Sequence, residues 1–212
     1  LNLMEAAKVR TGQPIRTACA YQQGLMIALL AVRPLRIRNF LALELGRTLL
    51  ADGTGYSMVF GADELKMAQN GALNEPFPEA LLPHLGLFLA VYRPTLLRQG
   101  DAKQARPATN HLWIDRYGAP MQEPAMRVTI KTVTGRAFGK AVWPHLFRDC
   151  LATSVAIEQP ALMHIASVML GHTSLQTIQK HYNQAKMLEA GQKYTKALTQ
   201  MRSDIVVKMQ GQ

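Results

Sequence analysis

The 212-residue sequence has only two cysteines, Cys19 and Cys150, which lie in unrelated segments without C-x-x-C spacing. This scarcity argues against a disulfide framework or a zinc knuckle and fits a reducing compartment. No apolar run reaches the ~18 residues that a membrane span needs, and the N-terminus lacks the layout of a signal peptide. Repeats and low-complexity stretches are also missing. With 48% hydrophobic residues, the sequence predicts a globular chain that can bury a core without disulfides.

Acidic residues are the scarcer charge, with 14 Asp and Glu against 24 Lys and Arg, for a net charge of +10. The excess is concentrated in two segments. Residues 1–50 hold seven bases and two acids, and residues 93–150 hold ten bases and four acids. Such an excess favours an anionic partner, with nucleic acid first and a membrane surface second, while solubility alone is the simpler explanation.

Apolar periodicity predicts a mainly α-helical chain with one small antiparallel sheet. Pro14 suits the first turn of a helix that carries an apolar stripe. Asn70-Gly71 is a hairpin signal and places the sheet within residues 46–77. No linker divides the chain, so one domain over residues 1–212 is expected. The predicted helices are 14–32, 35–45, 79–95, 122–137, 144–157, 160–170, 174–185 and 186–206, with a strand and turn at 111–118.

The most informative stretch carries His145-Leu-Phe-Arg148, then Leu170-Gly171-His172, then Tyr182. His145 and Arg148 are three residues apart, so they share a face of a helix that starts at Pro144. Gly171 suits the left-handed position that ends a helix. If these short helices fold back on one another, two imidazoles, a guanidinium and a phenol converge.

This pattern resembles the signature of tyrosine recombinases, the phage-integrase family, which combine H-x-x-R with L-G-H and a nucleophilic tyrosine. The resemblance extends upstream. Pro34-Leu35-Arg36-Ile37 matches the context of the family's first arginine, and Lys66, the only lysine in residues 46–77, matches the lysine on the family's small sheet. The resemblance implies the fold of a recombinase catalytic domain, without the family's N-terminal DNA-clamping (core-binding) domain in these 212 residues.

The implied chemistry is cleavage and rejoining of DNA strands through a 3′-phosphotyrosyl intermediate, without metal, ATP or another cofactor. Arg36 and Arg148 would stabilise the charge on the phosphate oxygens, because guanidinium forks are permanently charged and bidentate. Tyr182 would attack phosphorus, and His145 would assist it as an acid or base. Lys66 would protonate the leaving 5′-oxygen, and His172 would donate a hydrogen bond to the phosphate.

Each of these assignments has an alternative in the sequence. Arg33 and Arg38 compete with Arg36, since helical phase alone does not choose among them. Tyr194 competes with Tyr182, but its place on the apolar stripe of the last helix predicts a packing role. Asn39 and Asp149 stand where the family often has an acid and a histidine. A zinc site is conceivable but lacks paired-ligand spacing; its ligands would be His145, His164, His172 and His181.

Other function classes remain open at this stage. The sequence is also compatible with a type IB topoisomerase-like relaxing enzyme, or with a DNA-binding remnant of the fold that has no activity. The resemblance implies double-stranded DNA as partner, a free monomer that assembles into a synaptic tetramer on DNA, and no membrane contact. It also implies a cytoplasmic, DNA-associated protein of bacterial, phage or mobile-element origin.

Overall fold

The structure is a computed structural model that describes residues 1–9, 12–53, 55–61, 73–101, 109–162, 165, 183, 187, 190–191 and 193–201. The chain divides into two compact units, Leu1–Arg148 and Asp149–Gln212. The helices are α1 Asn2–Lys8, α2 Pro14–Val32, α3 Ile37–Leu41, α4 Leu82–Leu87, α5 Arg93–Asp101, α6 Glu123–Phe138 and α7 Pro144–Glu158; the strands are β1 Leu49–Asp52, β2 Gly55–Phe60 and β3 Leu73–Pro76. The predicted class, mainly helical with a small antiparallel sheet, is confirmed.

Helix α2 is the central helix of the first unit. It spans Pro14–Val32, as predicted, and the apolar stripe of the sequence is fully buried: Leu25, Met26, Leu29 and Leu30. Gln22 adds a polar tether, because its side-chain amide donates to the Ile114 carbonyl (2.8 Å) and accepts from the Ile114 amide (2.9 Å). The buried amide is therefore satisfied by backbone groups far away in sequence.

Helix α1 packs on α2 and was not predicted from the sequence. Met4 and Ala7 are fully buried, and Met4 lies against Gly24 of α2. A Cβ atom built at Gly24 would come within 2.6 Å of the Met4 Cγ. The close approach of the two helices therefore depends on a residue without a side chain.

The sheet has the strand order β1-β2-β3, with both pairs antiparallel. Asp52 pairs with Gly55 across the first hairpin, and Gly53 turns the chain with φ +56°. Met58 pairs with Glu75 in the second pair of strands. The small antiparallel sheet predicted for residues 46–77 is thus confirmed, while the Asn70-Gly71 turn lies outside the described residues.

The predicted strand and turn at 111–118 appear as an extended piece tied to several elements. The Trp113 indole donates to the Phe40 carbonyl at 2.8 Å, and Asp115 accepts from the Tyr117 and Ala119 amides in the turn. The buried Arg93 guanidinium donates to the carbonyls of Thr109 and His111. This segment is therefore fixed to α2, α3 and α5 at once.

Two predicted helices have different bounds in the structure. The helix expected at 35–45 covers only Ile37–Leu41, because residues 43–45 pair with the 110–112 backbone through Leu112 N–H to Leu43 C=O and Leu45 N–H to Asn110 C=O. The helix expected at 79–95 runs on to Asp101 and contains a π-helical turn, Phe88–Tyr92. That turn lies just before Pro94, which lacks the N–H for the regular bond.

The second unit begins within α7, which matches the predicted helix 144–157. A short 3₁₀ turn, Pro160–Leu162, stands where the helix 160–170 was expected to start. Of the rest of that helix the structure describes only Ile165, and of 174–185 only Asn183, both helical. Residues 193–201 are helical, as predicted within 186–206. Tyr194, for which the sequence predicted a packing role, is 67% exposed.

Two described helical stretches, Pro14–Val32 and Glu79–Arg98, are long and apolar enough to cross a membrane by length and composition. The sequence-based statement that no stretch reaches this threshold was therefore wrong. Both stretches carry polar side chains that bond to the backbone of the 109–114 segment, Gln22 in the first and Arg93 in the second. These contacts are typical of core helices in a globule.

Candidate active site

Arg36 lies at the end of the short connection from α2 to α3, which we call the 33–36 loop (Arg33 to Arg36). Pro34 breaks the helical pattern after α2, and Leu35 N–H bonds to the Arg33 carbonyl at 2.8 Å in a tight turn. Arg36 then adopts an extended backbone (φ −59°, ψ 141°) as the N-cap of α3, and its carbonyl accepts from Phe40 N–H. The residue is half-buried, and the backbone bonds at Leu35 N–H and at its own carbonyl fix the course of the chain on either side of it.

Arg148 comes from a distant part of the sequence to the same loop. Its Nη1 donates a 2.6 Å hydrogen bond to the Pro34 carbonyl, 114 residues earlier in the chain. A hydrogen bond from a guanidinium cation to a carbonyl oxygen is charge-assisted and therefore strong. The structure thereby brings the guanidinium of Arg148 against the loop that carries Arg36.

His145 lies one turn before Arg148 on α7 and is exposed. The start of the helix is fixed by the backbone bond from Leu146 N–H to the Trp143 carbonyl (2.9 Å). The fully buried Thr134 of α6 accepts from Val142 N–H at 2.9 Å, which fixes the loop leading to α7. His145 and Arg148 therefore project from a helix start whose position is set by α6.

A cation and an exposed aromatic ring flank this helix start. The Lys131 ammonium lies 3.8 Å from the centroid of the Trp143 ring, and Trp143 is 41% exposed. An ammonium over an indole face is a favourable cation–π contact. The surface beside His145 is therefore basic and aromatic, a combination that suits a nucleic-acid backbone and its bases.

The two other arginines near Arg36 have different surroundings. Arg38 is exposed on α3. Arg33 forms an ion pair with Glu75 of β3, with 3.6 Å between Arg33 Nε and Glu75 Oε2. Burial raises the pKa of the Glu75 carboxyl, and the charge of Arg33 opposes that rise. Sequence reasoning missed Glu75, because a single acid on a strand has no motif and its partner lies 42 residues away.

Lys66, His172 and Tyr182 lie outside the described residues, so their roles stay predictions. The same holds for the zinc alternative, since His164, His172 and His181 lie outside as well. Within the described part of the chain, no group of three or more His, Cys, Asp or Glu residues could hold a metal ion.

A surface cleft of about 580 Å³ lies elsewhere in the first unit, between residues 44–47, 109–111 and 118–120. Its charged groups already pair with one another: Glu44 binds His111 Nε2 at 3.1 Å and also contacts Arg47. Of the predicted catalytic residues that the structure describes, Arg36, His145 and Arg148, none lines this cleft. We place the candidate site at the 33–36 loop instead, because Arg148 meets the backbone of this loop there.

No protein-family model matches the sequence, and no curated protein matches it either. Solved structures do match. The XerH site-specific recombinase, in a post-cleavage complex with a palindromic difH substrate, superposes with a TM-score of 0.61 at 16% identity over 89% of this chain. The XerA recombinase superposes with a TM-score of 0.56 at 18% identity over 90% of this chain.

These matches identify the fold. The chain is built like part of two tyrosine recombinases, so the fold class expected from the resemblance is confirmed. The chain spans about half the length of XerH, 49%, and 59% of XerA.

Proposed function

We propose that this chain is the catalytic domain of a site-specific DNA recombinase that cuts and rejoins DNA strands through Tyr182. The observation that best supports this proposal is the hydrogen bond from Arg148 Nη1 to the Pro34 carbonyl, which links the two segments that carry Arg36 and Arg148. The recombinase fold of the structural neighbours supports the same function. So does the net charge of +10, because strand exchange needs a surface that neutralises phosphates.

In the proposed reaction, the Tyr182 oxygen attacks the scissile phosphorus. A bond from this oxygen to phosphorus forms, and the bond from phosphorus to the 5′-oxygen breaks. His145 takes the phenol proton, and Lys66 gives a proton to the leaving 5′-oxygen. Arg36 and Arg148 stabilise the charge on the non-bridging oxygens, with His172 as a further donor. Rejoining reverses these steps, so the phosphodiester energy is kept in the covalent intermediate and ATP is not needed.

The guanidinium pair also accounts for the proposed independence from metal ions. Two fixed forks supply permanent positive charge and directed donors to the phosphate, which is the role that divalent cations have in many nucleases. The pKa of a phenol is about 10 in water, and positive charge nearby favours the ionised form that attacks phosphorus. We therefore expect cleavage to proceed in the presence of a chelator.

The proposed partner is double-stranded DNA, on which protomers assemble into a synaptic tetramer, while the free chain is a monomer. The described part of the last helix supports assembly through this segment. Its apolar side chains are exposed: Met187 76%, Tyr194 67%, Leu198 37% and Met201 61%. Bacterial or phage origin, and action on DNA in the cytoplasm, follow from the family resemblance and belong to the same proposal.

The test uses a pool of nicked duplexes, since the target sequence is not known. Each duplex carries a randomised segment with a nick a few nucleotides downstream, so that the short cleaved fragment diffuses away and the covalent adduct is trapped. We expect an adduct that withstands denaturation, forms in EDTA, and maps to Tyr182 by peptide mass spectrometry. Tyr182→Phe should abolish it, whereas Tyr194→Phe, the matched control, should not.

The same assay separates the other function classes. Adducts concentrated on one sequence support a site-specific recombinase, and adducts spread over the whole pool would instead indicate a topoisomerase-like relaxing enzyme. A chain that binds the pool but forms no adduct would be a remnant of the fold. Loss of cleavage in EDTA would indicate a metal-dependent nuclease and contradict the proposal.

A further inference from the structure

An ion pair links the sheet to the loop of Arg36. Arg33 Nε lies 3.6 Å from Glu75 Oε2, and the two side chains are only 29% and 14% exposed. Glu75 is in β3, where it pairs with Met58 of β2. Arg33 caps the C-terminal end of α2 and is the first residue of the 33–36 loop. The pair therefore joins an edge strand of the sheet to the start of this loop.

Backbone hydrogen bonds couple the position of Arg33 to the rest of the 33–36 loop. Arg33 N–H bonds to the Leu29 carbonyl at 2.7 Å, and Leu35 N–H bonds to the Arg33 carbonyl at 2.8 Å. Pro34, between these two residues, has a fixed φ and offers its carbonyl to Arg148 at 2.6 Å. A shift of Arg33 therefore moves the acceptor of Arg148 and the backbone that leads to Arg36.

Stability does not account for this pair. Burial raises the pKa of the Glu75 carboxyl, which means that the ionised form is disfavoured in its place in the fold. The Arg33 Nε atom is buried and has no hydrogen-bond partner within the described residues; its distance to Glu75 is an ion-pair distance, too long for a hydrogen bond. Pairs of this kind are often replaced by apolar residues at no cost in stability. In some proteins such a pair serves instead to fix one geometry.

We propose that Arg33 and Glu75 are positioning residues that fix the 33–36 loop so that Arg36 and Arg148 meet the scissile phosphate together. The inference rests on the proposed function, because it concerns the rate of the cleavage step. Neither residue touches the phosphate in this proposal. They act through the Pro34 carbonyl and the backbone before Arg36.

The test compares the rate of adduct formation with the affinity for DNA. Glu75→Gln keeps the size of the side chain and removes its charge. With a duplex selected from the nicked pool, at saturating DNA, the single-turnover rate should fall roughly 10- to 100-fold, the scale of a misplaced catalytic group. The Kd, measured in a Tyr182→Phe background, should stay within about twofold, since phosphate contacts carry the affinity.

Two further variants make the result decisive. Glu5→Gln breaks the exposed Lys8–Glu5 pair (2.8 Å) and should cleave at the wild-type rate. Arg33→Met with Glu75→Leu removes both charges together, so it leaves no unpaired buried charge and should fold. This double variant should also cleave slowly with an unchanged Kd, because the loop has lost its link to the sheet.

The inference would be overturned if the folded double variant cleaved DNA at the wild-type rate. It would also be overturned if the affinity for DNA fell by as large a factor as the rate. A wild-type chain that forms no adduct on any duplex in the pool would overturn the proposed function and the inference with it. A wild-type adduct together with unaffected variants would overturn the inference alone.

Discussion

At the scale of single residues, the candidate site is organised by a backbone carbonyl. Arg148 donates to Pro34 C=O with one nitrogen, and a guanidinium has five N–H donors in a fixed plane. The bond to Pro34 therefore helps to fix the plane of the guanidinium that we propose to act on the phosphate. An ammonium group has no such plane, which makes arginine the suitable residue at this position.

Arg148→Lys tests this geometry. We expect the activation free energy of adduct formation to rise by about 3 kcal/mol, which lowers the rate roughly 100-fold. Lysine keeps the charge but loses the preorganised donor pair. Arg38→Lys is the matched control, since Arg38 is exposed on α3, and its rate should stay near that of the wild type. The measurement is the single-turnover rate on a nicked duplex. A rate within about threefold of wild type for Arg148→Lys would argue against a fork at this position.

Glu75 also gives a dependence of stability on pH. The pKa of Glu75 is raised above its ordinary value of 4.5 by burial, with Arg33 as the smaller, opposing cause. A raised carboxyl pKa means that the folded state binds the proton more tightly than the unfolded state. The contribution of Glu75 to folding is therefore fully present below pH 4.5 and is lost as pH rises through the raised pKa.

In the Glu75→Gln variant, the side chain at this position does not titrate. The free energy of unfolding of the wild type, relative to that of Glu75→Gln, should therefore fall as the pH rises from 4.5 through the raised pKa of Glu75. Urea unfolding of both chains over this range measures the difference. An opposite slope would mean that the attraction of Arg33 outweighs the cost of burial, and that the pair stabilises the fold.

Residues that share a local motif could be placed from the sequence, whereas contacts between distant segments could not. The H-x-x-R spacing puts His145 and Arg148 on one helix face, because residues i and i+3 share a face whatever the fold. Their catalytic roles stay predictions. The contact of Arg148 with Pro34 spans 114 residues and depends on how the first unit packs. The pairing of Arg33 with Glu75 depends on the register of β3, which nothing in the local sequence specifies.

At the scale of elements, long helices with a clear apolar stripe were predicted well. Helix α2 has the predicted bounds because Pro14 starts it and Pro34 follows its end. Helix α1 was missed because it has only seven residues, of which Met4 and Ala7 are buried while Leu1, Leu3 and Val9 around them are exposed. Its apolar residues do not form a periodic pattern, so packing on α2 rather than local preference defines it.

Gly24→Ala tests the packing of α1 on α2. Alanine normally favours a helix interior over glycine by about 0.5–1 kcal/mol. Here its Cβ would lie 2.6 Å from Met4 Cγ and 3.1 Å from the Met4 backbone nitrogen. Because overpacking costs about 1–3 kcal/mol, we expect a net loss of about 1 kcal/mol in the free energy of unfolding.

Gly86→Ala in α4 is the matched control, since a Cβ there meets nothing within 4 Å. This variant should be neutral or stabilised by up to about 1 kcal/mol. Thermal unfolding should therefore give a lower Tm for Gly24→Ala and an equal or higher Tm for Gly86→Ala. Equal stability of the two variants would mean that α1 does not hold its place against α2 in solution.

At the scale of the whole molecule, the basic charge and the described part of the site lie in the same unit. Residues 1–50 and 93–148 carry most of the excess of lysine and arginine, and the first unit, Leu1–Arg148, contains Arg36, His145 and Arg148. This concentration of charge could be predicted, because counting the bases and acids along the sequence is enough to find it. The sequence does not show which of these bases lie on the same side of the unit, because that depends on how the chain packs.

The second unit supplies the predicted nucleophile and the last helix, whose role in assembly can be tested directly. Leu198 and Met201 are 37% and 61% exposed, so their apolar surface is not buried within the chain. Exposed positions tolerate substitution, so Leu198→Asp with Met201→Asp should change the free energy of unfolding by no more than about 0.5 kcal/mol. Assembly on a cleavable duplex should fail, because two charges would have to be buried in the contact between protomers.

Thr199→Asp with Gln200→Asp is the matched control, because it adds the same two charges on the opposite face of the helix. Sedimentation of each variant on the selected duplex, beside its Tm in free solution, separates the two roles of the segment. An unchanged Tm with lost assembly only in the Leu198 and Met201 variant supports docking on a neighbouring protomer. A drop in Tm of several degrees in the free monomer would mean that these side chains stabilise their own chain, and would exclude that docking role.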